Sequence, residues 1–225
     1  MENPIAQTSF ESDICNDKHQ IHREMLISIL SQKFECHADQ VVFTKPPTNQ
    51  FDDVVKVLDK PECPLEYKID FRAFTTGNVV FETAPVVPVD MCPEVLKTGS
   101  PKMTVGSNRH KEAIDVVKNI NRNLATYGKP SRHLVSNDNY YFCYAISKTN
   151  SDNTISAKDL ALYVIFRSKR LAEFVKQSFE HMPAIITKSI GESTNRQWYT
   201  ISMLVPIDWA CRIGSAYNIN GSLRS

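Results

Sequence analysis

The residues best suited to chemistry in this chain are two carboxylates and an amine in the segment LEYKIDFRAFTTGNVVFETAP, residues 65–85. Polar and apolar residues alternate along this segment, which predicts two β-strands joined by a turn at residues 75–77. When the strands are paired about that turn, Asp70 lies opposite Glu82 on one face of a β-hairpin, with Lys68 one pair further along. The hairpin register therefore predicts that these three side chains are neighbours.

Two carboxylates in direct opposition repel each other unless a cation lies between them. A divalent ion would meet that need, because Mg²⁺ accepts one or two carboxylates and completes its coordination shell with water and phosphate oxygens. A nearby lysine could activate the attacking water or offset the charge of a transition state. The pattern thus predicts a Mg²⁺ or Mn²⁺ site at Asp70 and Glu82 with Lys68 as a catalytic residue. The alternative is a hairpin face whose charges simply lie in water.

Periodicity on either side of the hairpin predicts the elements that would position it. Residues 1–8 are expected to form a flexible tail, and an apolar stripe at three- and four-residue spacing predicts a helix over residues 9–34. A short helix is considered at residues 52–58, and a basic amphipathic helix is expected over 108–125. Strands are predicted at 41–43, 139–147, 160–166 and 197–207, with a further helix at 169–179. This order predicts a single α/β domain over residues 9–225.

Composition restricts the class of protein. The chain has 225 residues, of which 42% are hydrophobic and 23% charged, as expected for a folded domain. No apolar run reaches the roughly 18–20 residues of a membrane span and no signal peptide is evident, so we expect a soluble cytoplasmic protein without a membrane partner.

The six cysteines include no C-x-x-C pair, which favours reduced thiols over disulfides or a zinc site. Cys15, His19 and His22 share one helix face, where a metal site or an ordinary polar face are the alternatives.

The charges are distributed unevenly along the chain. Residues 1–96 carry 8 Lys/Arg against 16 Asp/Glu, whereas residues 97–133 carry 8 against 2. An acidic portion followed by a basic one is typical of a protein that holds cations in one place and a polyanion in another, although ordinary uneven surface charge gives the same pattern. The candidate phosphate contacts, which would make binding salt-dependent, are Lys102, Arg109, Lys111, Lys118, Arg122, Lys129 and Arg132.

Several motifs of this chain resemble those of the PD-(D/E)XK nuclease superfamily: YKIDF with Asp70, VVFET with Glu82, and Glu24 in HREMLISIL. The segments SRHLVSNDNYYFCYAI, ALYVIF with SKRLAEFV, and YTISMLVPI also resemble later parts of some members. The resemblance implies a restriction-endonuclease-like α/β fold, in which helices flank a mixed central β-sheet. It implies metal-dependent hydrolysis of phosphodiester bonds, in DNA rather than RNA, with Glu24, Asp70 and Glu82 holding Mg²⁺ or Mn²⁺.

Two positions depart from the pattern of the family. Ile69 stands where the family has a proline before the first acid, and Ala84 stands where it has the lysine of the E-x-K motif. Lys68, opposite Ala84 in the predicted register, could supply the missing amine. If it does not, the alternative is a catalytically inactive nuclease-like module that binds nucleic acid or a protein partner within a larger assembly. A small-molecule enzyme on an unrelated α/β fold and a homodimer are also left open.

Overall fold

The computed structural model describes residues 6–46, 51–122, 140–149, 155–191 and 196–224, with side chains from residue 19 onward. The chain divides into two compact units, each built from separate stretches of sequence. Unit 1 comprises Met1–Gly77, Asn139–Arg167 and Ala210–Ser225, and unit 2 comprises Asn78–Asp138 and Ser168–Trp209. The mixed α/β fold class predicted from the sequence is confirmed, with a mixed sheet and flanking helices. In the described part of the chain, no helix is long and apolar enough to cross a membrane.

Unit 1 is built on a six-stranded sheet with the order β1-β2-β3-β6-β7-β10. Strand β3 is parallel to β6, and the other neighbouring strands are antiparallel, so the sheet is mixed. Its strands are β1 (Val41–Thr44), β2 (Asp53–Val57), β3 (Cys63–Asp70), β6 (Tyr141–Ser147), β7 (Leu160–Arg167) and β10 (Ser215–Tyr217).

Helix α1 (Ala6–Phe34) covers this sheet and confirms the long helix predicted near the N-terminus. Its apolar stripe is buried against side chains of β1, β2, β3, β6 and β7. Full burial of one such side chain contributes about 1.5–3 kcal/mol to folding. The stripe consists of Ile21, Met25, Leu26 and Ile29, each no more than 4% exposed.

Unit 2 is built on an antiparallel four-stranded sheet with the order β4-β9-β8-β5. The amphipathic helix predicted at residues 108–125 is confirmed as α4 (Asn108–Arg122), which packs against β4. The other elements of unit 2 are β4 (Asn78–Pro88), α3 (Glu94–Lys97), β5 (Lys102–Met103), α5 (Ser168–Ser178), β8 (Ala184–Ile190) and β9 (Gln197–Pro206). Helix α6 (Ile207–Ile213) begins in unit 2 and ends in unit 1.

The predicted hairpin at residues 65–85 is wrong. Strand β3 ends at Asp70 and pairs with β2 and β6, whereas β4 begins at Asn78 and pairs with β9 in the other sheet. Between them lies a helical turn, α2 (Ala73–Thr76), in place of a three-residue loop. Gly77 does adopt the left-handed conformation expected of it, with φ of 70°, but it ends α2 instead of closing a hairpin.

The short helix considered at residues 52–58 is also wrong, because this stretch forms β2. Val54, Val55 and Val57 are β-branched, and alternate residues of the strand are buried. β-branched side chains favour a pleated sheet over a helix, and here that preference decides the outcome. The predicted strands at 139–147, 160–166 and 197–207 are confirmed as β6, β7 and β9, and the helix at 169–179 is confirmed as α5.

Candidate functional site

One face of β3 presents a row of alternating acid, amine and acid. Glu66, Lys68 and Asp70 lie on this face and are partly buried, whereas Leu65 and Tyr67 on the other face are buried. Asp70 is the last residue of β3, at the carboxyl end of the parallel β3–β6 pair. Lys68 and Asp70 therefore lie near the carboxyl end of the one parallel strand pair among the described strands of this sheet.

The Asp70 carboxylate is held in a fixed orientation by the turn that follows it. Its Oδ1 atom accepts hydrogen bonds from the backbone N–H of Arg72 at 2.9 Å and of Ala73 at 2.7 Å. Asp is favoured at such positions because its short side chain can satisfy the otherwise unpaired N–H groups at a helix start. Asp70 therefore has a structural role in beginning α2, beside any role in binding a ligand.

Glu24 belongs to α1, which packs on the face of β3 opposite to the face that carries Asp70. His22 of α1 stacks on the ring of Tyr67 with the centroids 4.4 Å apart, so α1 covers the Tyr67 face of β3. Asp70 is three residues from Tyr67 along the strand and lies on the opposite face. Glu24 is exposed on α1, where its Oε1 accepts a hydrogen bond of 3.1 Å from Gln20. The ligand role predicted for Glu24 stays a prediction.

Glu82 lies in β4 of unit 2, opposite Ser202 of β9, and is partly buried. A β-bulge follows it, so that the pairing moves from Glu82 to Ala84 across a single step of β9. The bulge interrupts the alternation of the strand and leaves both Thr83 and Ala84 buried, at 2% and 0% exposure. A lysine at position 84 would have to enter this packed interior, which gives a physical reason for the alanine there.

The predicted phosphate contacts divide into three groups. Lys102, Lys111 and Arg122 are exposed on unit 2 and are able to meet a phosphate. Arg109 and Lys118 instead make contacts within unit 2, and Lys129 and Arg132 lie outside the described residues. Among the described His, Cys, Asp and Glu side chains, no group of three or more could hold a metal ion.

Arg109 braces the short helix α3. Its guanidinium donates hydrogen bonds to the backbone carbonyls of Val95 at 2.9 Å and Leu96 at 3.3 Å, and also to that of Ser100. Lys118 forms an ion pair of 2.9 Å with Glu180. The basic character of α4 thus arises partly from residues that hold unit 2 together.

We expect Arg109→Ala to destabilise unit 2 by about 1–3 kcal/mol, because hydrogen bonds from a charged group to three carbonyls are lost together. Lys111→Ala removes a neighbouring exposed cation and should change the free energy of unfolding by no more than about 0.5 kcal/mol. Urea unfolding of the two variants makes the comparison. Equal unfolding free energies would contradict the bracing role of Arg109.

Unit 1 also contains a buried polar cluster that the sequence reasoning missed. Arg23 of α1 donates two hydrogen bonds to the carboxylate of Asp53, from Nε at 2.8 Å and from Nη2 at 2.6 Å. The hydroxyl of Tyr67 donates a third, at 3.0 Å, to the same carboxylate, which is 0% exposed. These three hydrogen bonds, from two partners, balance a carboxylate that would otherwise be very costly to bury. Arg23 and Asp53 are 30 residues apart, and no local pattern in the sequence indicates the pair.

His22 is the second part of this cluster and is 0% exposed. A hydrogen bond of 2.8 Å joins its Nδ1 atom to the Tyr163 hydroxyl, while Nε2 has no hydrogen-bond partner among the described residues. Burial, assisted by the positive charge that nearby His19 can carry, lowers the pKa of His22 from 6.5 to about 3. His22 is therefore neutral at physiological pH, and its place in the core does not favour the metal site considered for its helix face.

The described cysteines are Cys36, Cys63, Cys92, Cys143 and Cys211, and all five are free thiols. Burial raises the pKa of Cys63 to about 11 and also raises that of Cys143, which is 0% exposed. Raised pKa values leave these thiols protonated and weakly nucleophilic at neutral pH. Neither Cys63 nor Cys143 therefore adds a nucleophile to the candidate site.

Comparisons of this chain with protein-family models, with curated proteins and with solved structures return no match. The fold shows that the chain belongs to the mixed α/β class. With no related protein to compare, the candidate site is identified from two residues of this chain. These are Lys68 and Asp70 at the carboxyl end of β3, with the helical turn α2 directly after them.

Proposed function

We propose that this chain is a Mg²⁺- or Mn²⁺-dependent nuclease of restriction-endonuclease-like type, which hydrolyses phosphodiester bonds in DNA rather than RNA. The observation that most supports this function is the position of Lys68 and Asp70 on one face of β3, at the carboxyl end of a parallel strand pair. The resemblance to PD-(D/E)XK nucleases implies the role of Asp70 and places the motif lysine at position 84, where this chain has Ala84. Lys68 lost its predicted place opposite Ala84 with the hairpin, and it is proposed as the amine because it shares a face of β3 with Asp70. The ligand roles of Glu24 and Glu82 are further predictions from the same resemblance.

Asp70 would supply one ligand of the kind that a hard divalent cation such as Mg²⁺ prefers, a carboxylate oxygen. A bound Mg²⁺ would polarise the phosphate and lower the pKa of its water ligand. Asp70 would present a carboxylate whose orientation is already fixed by two backbone N–H donors. Lys68 would place its ammonium group near the phosphate and offset negative charge as it develops.

Exposed cations of unit 2 are the proposed contacts to the nucleic-acid backbone. Lys102, Lys111 and Arg122 are exposed and belong to the basic stretch of the chain. Neutralising a phosphate releases a condensed counterion, so each contact adds about 0.7–0.9 to the slope of log affinity against log salt. Alanine variants at these positions should lower that slope without changing the pattern of cleavage.

The direct test is cleavage of labelled single-stranded and duplex DNA, and of the same sequences in RNA, with Mg²⁺, Mn²⁺ or EDTA. The proposed function requires products in the presence of a divalent ion and none in EDTA. If the protein cuts no substrate with either metal, the nuclease function is wrong.

A non-enzymatic nuclease-like module that binds nucleic acid is the second candidate, and one observation favours it. Ala84, at the position of the motif lysine, is 0% exposed behind the bulge after Glu82. Calorimetry with Mn²⁺ separates the candidates, because the nuclease should release or absorb heat that disappears in Asp70→Asn. A binding module should bind DNA and give no heat with Mn²⁺ that depends on Asp70.

A further inference from the structure

Strand β1 is an open edge of the six-stranded sheet in unit 1. It stands first in the strand order, and among the described strands only β2 pairs with it. The N–H of Leu58 donates to the Gln40 carbonyl at 3.3 Å, so the ladder between β1 and β2 uses the peptide groups of Gln40 and Val42. Because hydrogen-bonded and non-hydrogen-bonded residues alternate in an antiparallel pair, the peptide groups of Val41 and Phe43 face away from β2.

Three of the outward peptide groups of β1 are free to bond to another strand. The N–H of Val41 donates to the Ala38 carbonyl, within the turn that precedes the strand. The Val41 carbonyl and the N–H and carbonyl of Phe43 have no strand opposite them within the described part of the chain. Such a row of unpaired groups is a template on which a further strand can add to the sheet.

Exposed apolar side chains lie at the same edge. Val42 is 49% exposed in β1, and Leu58, which follows β2 and is hydrogen bonded to Gln40, is 39% exposed. Leu58 also adopts a left-handed conformation with φ of 51°, which is rare and strained for a residue of its size. Apolar side chains that stay exposed beside a free strand edge favour a partner that covers this edge.

The charges that flank β1 indicate which partner would fit. Asp39 precedes Val42 by three residues and Lys45 follows it by three, and both are exposed. Neither forms an ion pair with another described residue. If a second copy pairs antiparallel to β1 with a two-fold axis at Val42, Asp39 of each copy lies at the end of the strand where the other copy has Lys45. The edge is therefore complementary in charge to itself.

We propose that β1 is a homodimer interface, in which the β1 strands of two copies pair antiparallel about a two-fold axis at Val42. The N–H of Phe43 donates to the Val41 carbonyl of the other copy, twice by symmetry, and the two Val42 side chains meet at the axis. Two four-residue strands bury less than the roughly 1,200 Å² of a standard interface, so the dimer is weak. This inference goes beyond the proposed function and does not depend on it.

The test is sedimentation equilibrium of the full chain over about 5–500 μM protein, at low salt so that exposed charges are little screened. The wild type should show a monomer–dimer equilibrium with a Kd on the order of 100 μM or tighter. Val42→Glu should be monomeric throughout, because two carboxylates would then oppose each other at the axis. Ile190→Glu changes another exposed β-branched residue, 56% exposed in β8 of unit 2, and should dimerise as the wild type does.

A charge exchange tests the register of the interface. Asp39→Lys and Lys45→Asp should each weaken the dimer about tenfold or more, because each change turns two attractive pairs into two repulsive ones. The double variant Asp39→Lys/Lys45→Asp restores opposite charges at both ends and should dimerise again nearly as well as the wild type. Both positions are exposed, so these variants should unfold at the same urea concentration as the wild type.

Three results would overturn the β1 interface. They are a wild type that stays monomeric over the whole concentration range, a dimer that persists in Val42→Glu, and a double charge variant that dimerises no better than the single variants. The proposed function is judged separately, by metal-dependent cleavage that requires Asp70. A monomer that cleaves through Asp70 would remove this inference and leave the nuclease function intact.

Discussion

Arg23→Ala should destabilise unit 1 by about 3 kcal/mol, the lower end of the range measured when one partner of a buried ion pair is removed, because the Arg23 side chain is 30% exposed. The substitution would leave the Asp53 carboxylate, which is 0% exposed, with Tyr67 as its one remaining hydrogen-bond donor within the described cluster. Urea unfolding, followed by hydrogen exchange of amides in β2 and β3, measures the effect in unit 1.

Lys33→Ala provides the matched control on the same helix. Lys33 is an exposed cation near the ring of Phe34, and its removal should change the free energy of unfolding by about 0.5 kcal/mol or less. Arg23→Lys should lie between the two, because an ammonium keeps the charge but cannot reproduce the paired N–H donors of the guanidinium. If Arg23→Ala and Lys33→Ala are equally stable, the cluster is not a stability determinant.

Unit 1 should lose stability in mild acid because of His22. The pKa of this group is about 3 in the folded state and 6.5 when unperturbed, so the unfolded chain binds a proton first as the pH falls. The folded state is therefore fully stable with respect to His22 above pH 6.5 and loses up to about 1.4 kcal/mol per pH unit between 6.5 and 3. Between pH 7 and pH 5 the expected loss from His22 is about 2 kcal/mol.

The measurement is urea unfolding at pH 7, 6 and 5 for the wild type and His22→Gln. Glutamine can still hydrogen bond to the Tyr163 hydroxyl but does not ionise in this range. All carboxylates titrate alike in both proteins, so the difference between the two pH profiles isolates His22. The variant should show a flatter profile by about 2 kcal/mol over this interval, and parallel profiles would contradict the role of His22.

The spacing of apolar residues within single segments correctly predicted most of the helices and strands of this chain. The apolar stripe of α1 predicts a helix, and the aromatic and β-branched runs of β6 and β7 predict buried strands; the structure confirms both. The short helix considered at residues 52–58 does not form, because the three valines of this stretch favour the strand that the structure shows.

Patterns within single segments of the sequence do not show which strands pair with each other. The alternation in β3 and β4 fits a hairpin equally well as two strands of separate sheets, because it reports the faces of a strand and not its neighbour. Strand β3 pairs with β2 and with β6, and in β6 the partner of Asp70 is Ile146, 76 positions along the chain. A local signal for the turn did exist, since an aspartate can cap the N–H groups two and three residues later, as Asp70 does.

In the candidate site, too, the arrangement of residues within one strand could be predicted, whereas contacts between distant parts of the chain could not. The spacing of Lys68 and Asp70 in one strand places them on one face whatever the partner strand is, and this part of the prediction is confirmed. The opposition of Asp70 and Glu82 depended on the hairpin and was lost with it. The Arg23–Asp53–Tyr67 cluster joins α1, β2 and β3, so only the tertiary structure shows it.

The rate of cleavage by Asp70→Asn, compared with the wild type in Mn²⁺, tests the nuclease function most directly. Asparagine keeps an oxygen that can accept the N–H groups of Arg72 and Ala73, so the variant should unfold at the same urea concentration as the wild type. Its cleavage rate should fall on the order of 100-fold or more, because the charged metal ligand is lost. Asp70→Ala should lose the same activity and also about 1 kcal/mol of stability, because no carboxylate then accepts the N–H groups of Arg72 and Ala73. Equal cleavage rates for Asp70→Asn and the wild type would contradict the site.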